Sequence, residues 1–258
     1  MPAIDAFSSA PQLTLLLAVA AVFVLAGLVK GVVGLGLPTV AIALLALLMT
    51  PAQAVALLIV PSLVTNIWQI RPWRSLPPLL KRLAPMQAGV FIGTVAGAWL
   101  LGAATGAWAM ICLGAALIGY AGWGLSGARW IVPARTQTWL GPVIGTLTGV
   151  ITAATGVFAV PAVPYLQAIE LERDELIQAM GISFTVSTVA LALGLYINDR
   201  YSTAALGISF LLLVPALIGM EIGQRLRRRL SPALFKKCFL ISLALLGGHM
   251  IVYELLVR

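Results

Sequence analysis

Uninterrupted apolar windows, such as Leu13–Val29, Val33–Met49 and Leu206–Ile222, constrain this chain more than any other feature. They are filled throughout, without the polar positions that would give a surface helix its wet face. Windows of roughly 17–25 residues match a hydrocarbon core of about 30 Å at 1.5 Å per helical residue. Only 9% of the 258 residues are charged, where a soluble domain carries about 25%. With a mean hydropathy of +1.05, most of the surface must face lipid. Gly and Pro are frequent inside the windows, as in membrane helices whose backbones approach closely. No alternation of apolar and polar residues suggests a barrel.

Ten apolar segments follow in order: 12–29, 33–49, 52–70, 82–102, 106–126, 138–153, 156–169, 173–197, 202–224 and 232–255. Gly/Pro or charged clusters separate them. The seventh is short and contains Pro161 and Pro164, each lacking a backbone donor. The first lacks a basic leader, because Asp5 is the sole charge before Lys30; it reads as a retained helix. If all ten segments reverse direction, fourteen of the sixteen Lys and Arg share one face, leaving Arg200 and Arg258 on the other. If segments two and seven do not count as crossings, the division is eight to eight. The positive-inside rule selects the first arrangement, with basic loops cytoplasmic and both termini periplasmic. A hairpin dipping in and out together keeps the same parity, so charge fixes sidedness but not the number of full crossings. The net charge of +8 is thereby assigned to topology rather than to nucleic acid.

The two halves, 1–128 and 129–258, resemble each other. Gly27 and Gly34 precede Gly149 and Gly156 by 122 positions, and Pro38 precedes Pro161 by 123. Pro85, Gly89 and Gly93 precede Pro215, Gly219 and Gly223 by 130. Ser62, Thr65 and Asn66 fall opposite Ser183, Thr185, Ser187 and Thr188. Five segments per half, an odd number, invert the second copy, an arrangement of many secondary transporters. The expected fold is therefore an all-α integral membrane protein of two inverted repeats, with short or broken helices at the Gly/Pro motifs.

The paired motifs GVVGLGLP (Gly31–Pro38) and TGVFAVP (Thr155–Pro161) resemble the repeated signature of the TauE/SafE sulfite-exporter family. The likeness extends over nearly the whole chain through segment order, paired motifs and basic loops. The glycine run is thinned here, to Gly31, Gly34 and Gly36 in the first half and Gly156 in the second. The resemblance implies export of small organosulfur or related anions, such as sulfite, sulfonates or sulfoacetate, across the bacterial inner membrane.

An anion at midplane is expected to use helix N-termini, whose free N–H groups and macrodipole supply positive potential. Gly34, Gly36 and Pro38, with Gly156 and Pro161, have the composition of such turns. Packing kinks are the alternative. Ser62, Thr65, Asn66 and Gln69 share one side of segment three, and Gln178, Ser183 and Ser187 stud segment eight with Thr185 and Thr188. These donors suit oxyanion oxygens, but interhelical or intrahelical bonding is open to them too. Lys30 either attracts the anion or snorkels to the interface. Trp68 and Tyr165 are pocket walls or interface anchors, and Gln87 is a weaker candidate. Glu221 pairs with Arg225 or carries a proton, whereas the sole histidine, His249, reads as packed. Cys112 and Cys238 read as buried small residues.

Nothing matches a hydrolase, zinc or Walker motif, so no enzyme and no cofactor is expected. Ion or substrate gradients, protons among them, must supply the energy. The partners are then a small anion and the bilayer. A passive anion channel and a structural membrane subunit are the alternatives.

Overall fold

The computed structural model describes residues 10–34, 37–71, 73, 76–102, 107–127, 130–198, 203–227 and 231–256. Gly36, Asp5, Arg74, Arg129, Arg200, Arg228, Arg229 and Arg258, which entered the reading above, lie outside them.

The described residues form ten helices: α1 (Ala10–Val33), α2 (Leu37–Leu45), α3 (Pro51–Gln69), α4 (Leu76–Leu101), α5 (Ala107–Ser126), α6 (Ala134–Thr155), α7 (Ala162–Ala168), α8 (Arg173–Ile197), α9 (Thr203–Arg227) and α10 (Pro232–Leu256). Local chemistry sets their ends. Thr50 and Gln53 close a capping box before α3, with Pro51 in its first turn, and Glu172 and Glu175 do the same for α8. Each box satisfies donors that the first helical turn leaves free. Gly34 (φ 83°) and Gly156 (φ 73°) follow α1 and α6 in the left-handed conformation, which glycine adopts without a Cβ penalty.

Among the described residues seven helices are long and apolar enough to cross a membrane: α1, α3, α4, α5, α8, α9 and α10. With 22 residues, α6 has comparable length. The protein is an all-α integral membrane protein. Segments two and seven differ from the rest. They yield a nine-residue α2 and a seven-residue α7, about 14 and 10 Å long, too short to cross. Both return segments are shielded inside the bundle: Leu37–Ala43 of α2 is buried throughout, as are Val157, Phe158, Ala159, Ala162 and Leu166. Irregular backbone survives at membrane depth only where protein covers it.

Contacts fix helix directions. α1 runs parallel to α9, because Gly27 abuts Ala216 and Met220 while Gly31 abuts Met220 and Gln224. α4 runs parallel to α6 through Gly89 on Pro142 and Gly93 on Thr146. α3 opposes α8, since Gln178 Nε2 donates to the Ile70 carbonyl (2.8 Å) and Gly181 sits at Asn66. α5 opposes α10, with Gly114 at Gly247 and Gly124 at Leu240.

The packing partners exchange between the first five helices and the last five. The tightest pairs are α4 with α6 and α1 with α9, the same pairing with the halves' roles reversed. α4 with α8 likewise mirrors α9 with α3, and α1 with α2 mirrors α6 with α7. The exchange holds at residue level. A shift of 118 carries Gly27 and Gly31 onto Gly145 and Gly149. A shift of 130 carries their counterparts Met86, Val90 and Thr94 onto Ala216, Met220 and Gln224. The 122-position offset seen in the sequence therefore applies to the left-handed glycines but not to the packing ones. α6 runs one helical turn further before its glycine, so Gly27 packs like Gly145 rather than Gly149.

Candidate functional site

Lys30 lies in the last turn of α1 and is only 5% exposed. Its ammonium donates to Thr65 Oγ1 (3.1 Å) and, at short range, to Asn66 Oδ1 on α3. Thr65 is oriented for this by giving its own proton to the Pro61 carbonyl (2.7 Å), which leaves an oxygen lone pair for the lysine. Among the described residues the partners of Lys30 are neutral oxygens. Thr65 and Asn66 are also buried, as is Ser62 one turn earlier on the same face as Asn66. Among the described residues Asn66 Nδ2 and Ser62 Oγ have no hydrogen-bond partner. An ammonium has three donors, so one remains beyond Thr65 and Asn66. What is left over at this site is thus donating capacity beside an uncompensated positive charge. Such groups are costly in a low-dielectric interior, and an acceptor-only anion answers all of them.

A second polar seam joins α4 to α8. Gln87 Nε2 donates to Ser183 Oγ (2.8 Å), while Gln87 Oε1 and, one turn beyond Ser183, Ser187 Oγ are buried without partners. Gln87, a weaker candidate by sequence, thus has a defined polar role. Gln69 and Gln178 instead form a reciprocal clamp. Gln69 Nε2 donates to the Ile177 carbonyl (3.0 Å) and the Gly34 carbonyl (3.2 Å), opposite the Gln178 bond to Ile70. Both side chains tie backbone ends together. Thr185 and Thr188 return their hydroxyls to the Gly181 and Phe184 carbonyls four residues back, the intrahelical alternative.

The two glycine turns do not meet. Gly34 is tied to Gln69 at the end of α3. Gly156 faces Ile42 and Val55, near the start of α3. Fourteen residues separate Val55 from Gln69, about 21 Å of helix. The expectation of one midplane site built from both turns is therefore corrected: one turn lies toward each end of the bundle. Pro38 is buried in the first turn of α2 and Pro161 caps α7, on separate return segments.

Other expectations resolve simply. Glu221 pairs with Arg225 (2.9 Å) at the surface. Trp68 is exposed with the Arg71 guanidinium 4.2 Å from its ring centre, as an interface anchor would be. Tyr165 is buried. Cys112 and Cys238 are free and exposed, not buried as their apolar surroundings suggested. Sequence reading missed Ser209 of α9. Pro61 has no N–H to give the Leu57 carbonyl, and Ser209 Oγ supplies the proton instead (2.7 Å). A proline in a helix signals that some donor is needed, but not which one. It also missed Glu254, a buried carboxylate near the end of α10.

Two recesses open at opposite ends of the α5–α10 seam. One, of about 520 Å³, is lined by the turn from Ala46 to Pro51 and by Met110, His249, Met250, Tyr253 and Glu254. The other, of about 640 Å³, is lined by Trp123, Trp130, Pro164, Gln167, Glu170 and Lys236. The exchange of helices that relates the halves also relates these two hollows. Neither is lined by Lys30 or its partners.

Comparison with curated proteins finds no match, and comparison with solved structures finds none either. The family described as "Sulfite exporter TauE/SafE" matches residues 19–250, nearly the full chain. With its helical membrane architecture and that match, the chain belongs to the TauE/SafE sulfite exporter family, a family of membrane transporters rather than enzymes.

Proposed function

We infer that this protein is a secondary carrier exporting a small oxyanion, with Lys30, Thr65, Asn66 and Ser62 as its binding site. One observation carries the reading: a buried ammonium held only by neutral oxygens, beside the unpartnered donors Asn66 Nδ2 and Ser62 Oγ. Sulfite fits this chemistry, offering acceptor oxygens and negative charge. Sulfonates and sulfoacetate share the oxyanion head and belong to the same substrate class.

The residue-level exchange between the halves supports two inverted repeats, 1–128 and 129–258, in one membrane domain. Alternating access then corresponds to interchange of the halves' conformations. The helix directions support basic loops on one side, because the ends of α3, α5, α7 and α9 fall together. By the positive-inside rule that side is the cytoplasm of a bacterial inner membrane, with both termini periplasmic.

Counterflow in proteoliposomes tests the reading. Vesicles preloaded with unlabelled sulfite should transiently concentrate external labelled sulfite, because a carrier reorients faster when loaded on both sides. A passive channel would equilibrate label without accumulation, and a structural subunit would leave label outside; either result rejects the carrier.

A further inference from the structure

We propose that the seam between α4 and α8 is a Na⁺ site, with Gln87 Oε1, Ser183 Oγ and Ser187 Oγ as its ligands. The site shares no residue with the anion cluster, and its occupancy stands apart from the carrier reading.

α4 and α8 run parallel in one register. Gln87 meets Ser183 and Ala98 meets Gly194, each pair 96 positions apart. Ser183 and Ser187, four residues apart, share the face of α8 that is turned to α4. Other polar side chains of the seam are satisfied locally. Thr94 Oγ1 donates to the Val90 carbonyl (2.7 Å), and Asn198 Nδ2 donates to the Ala98 (3.0 Å) and Gly194 (2.8 Å) carbonyls. Ser187 departs from the habit of its own helix. Thr185 and Thr188 return their protons to carbonyls four residues back, whereas Ser187 Oγ has no partner among the described residues. Gln87 turns its nitrogen to Ser183 (2.8 Å) and leaves its Oε1 equally unpartnered. Ser187 is 1% exposed and Gln87 8%, so bulk water does not answer these atoms. The Ser183 oxygen, which accepts from Gln87, keeps a second lone pair.

The repeat shows what this seam lacks. A shift of 121 carries Ser62 and Asn66 of the anion cluster onto Ser183 and Ser187. The shift of 118 that relates the packing glycines carries Lys30 onto Thr148. Thr148 is buried and spends its proton on the Ile144 carbonyl (2.7 Å). The second half thus repeats the polar pair without the ammonium. The first cluster keeps spare donors beside a fixed charge; the seam keeps spare acceptor oxygens and no fixed charge. Buried acceptors without a donor are costly, and a hard cation is bound by oxygens of this kind. Divalent ions take carboxylates among their ligands, and α8 carries none beyond Glu175, nor α4 any at all. A singly charged ion fits the set.

The seam also has room beside it. Leu191, one turn beyond Ser187, lines a hollow of about 20 Å³ together with Ala98, Gly102 and Asn198. That volume admits one water-sized group, on the side where α4 and α8 end. Gly181 lies about 200° around α8 from Ser183 and packs on the Asn66 carbonyl. Ion and anion therefore bear on the same helix from different sides.

Thermal unfolding of the purified full chain tests the site, with NaCl compared against choline chloride at equal ionic strength and no sulfite present. Na⁺ should raise the unfolding temperature of wild type above its value in choline, because a ligand of the native state stabilises it. In Ser187→Ala and in Gln87→Leu, the Na⁺ concentration needed for a given rise should increase about ten-fold. Stabilisation of both variants by choline sulfite, measured without Na⁺, should stay at the wild-type value. An equal wild-type response to the two salts overturns the proposal and leaves the seam to water. So does a wild-type Na⁺ response in both variants, or a sulfite response lost along with the Na⁺ response. Absence of sulfite counterflow in wild type, with the Na⁺ response intact, would instead reject the carrier and leave the ion site standing.

Discussion

Lys30 shows how one residue's meaning changes between sequence and structure. In the sequence it is a lone cation before a glycine-rich motif, equally suited to snorkelling toward water. Burial at 5% exposure and bonds to Thr65 and Asn66 remove the snorkelling reading. Thr65 and Asn66 were legible as candidates because hydroxyls and amides inside apolar windows are unusual. Their union with Lys30 was not, since it depends on how α1 and α3 register in space. Ser183 and Ser187 were legible in the same way, but Gln87, which donates to Ser183, sits on another helix. At this scale two variants discriminate. Asn66→Leu should insert normally yet lose the stabilisation by sulfite that a native-state ligand confers, about 2.7 kcal/mol at a hundred times Kd. A thermal-shift titration reads this, and undiminished stabilisation would remove Asn66 from the site. Ser62→Ala, which deletes one donor, should weaken sulfite binding by about 1 kcal/mol, roughly five-fold, in the same titration.

Elements were more legible than side chains, for a physical reason: a membrane helix is announced by continuous apolar length. Segments 52–70 and 173–197 correspond almost residue for residue to α3 and α8. The start of α4 was set too late, because Pro77, Pro78 and Lys81 were left outside segment 82–102, whereas proline is accepted in a first helical turn and α4 begins at Leu76. The segment 33–49 looked as long as its neighbours, yet only Leu37–Leu45 is helical; hydropathy measures burial, and protein buries this piece as well as lipid would. The paired glycines were read as markers of the repeat, and packing puts one pair a turn out of register: Gly27 packs like Gly145, whereas Gly89 and Gly93 keep their 130-position offset to Gly219 and Gly223. Gly31 and Gly149 each face backbone on the partner helix. Replacing either with Leu should prevent that approach and lower the yield of monodisperse protein on size-exclusion chromatography to a similar degree. A tolerated Gly149→Leu would argue against the packing equivalence. Ser209→Ala leaves the Leu57 carbonyl unsatisfied and should cost about 1–3 kcal/mol, seen as a lower unfolding temperature without loss of sulfite binding.

For the molecule as a whole, the charge distribution and the helix directions agree on a topology in which α2 and α7 return the chain without spanning helices. In the proposed topology the parity is the same whether or not these two segments span, which is why counting crossings from charge alone was ambiguous. Single cysteines at Lys237 and at Gln53, introduced into a chain lacking Cys112 and Cys238, should react with an impermeant maleimide from opposite sides of the membrane. Reaction from the same side would break the inverted arrangement. The central assertion, however, is that a buried ammonium without a carboxylate partner is where the anion binds. Lys30→Met removes that charge and keeps an unbranched apolar side chain, which a membrane interior tolerates. Labelled-sulfite counterflow per inserted molecule should be abolished in this variant while its chromatographic profile matches wild type. Counterflow at the wild-type rate in a well-folded Lys30→Met protein would contradict it.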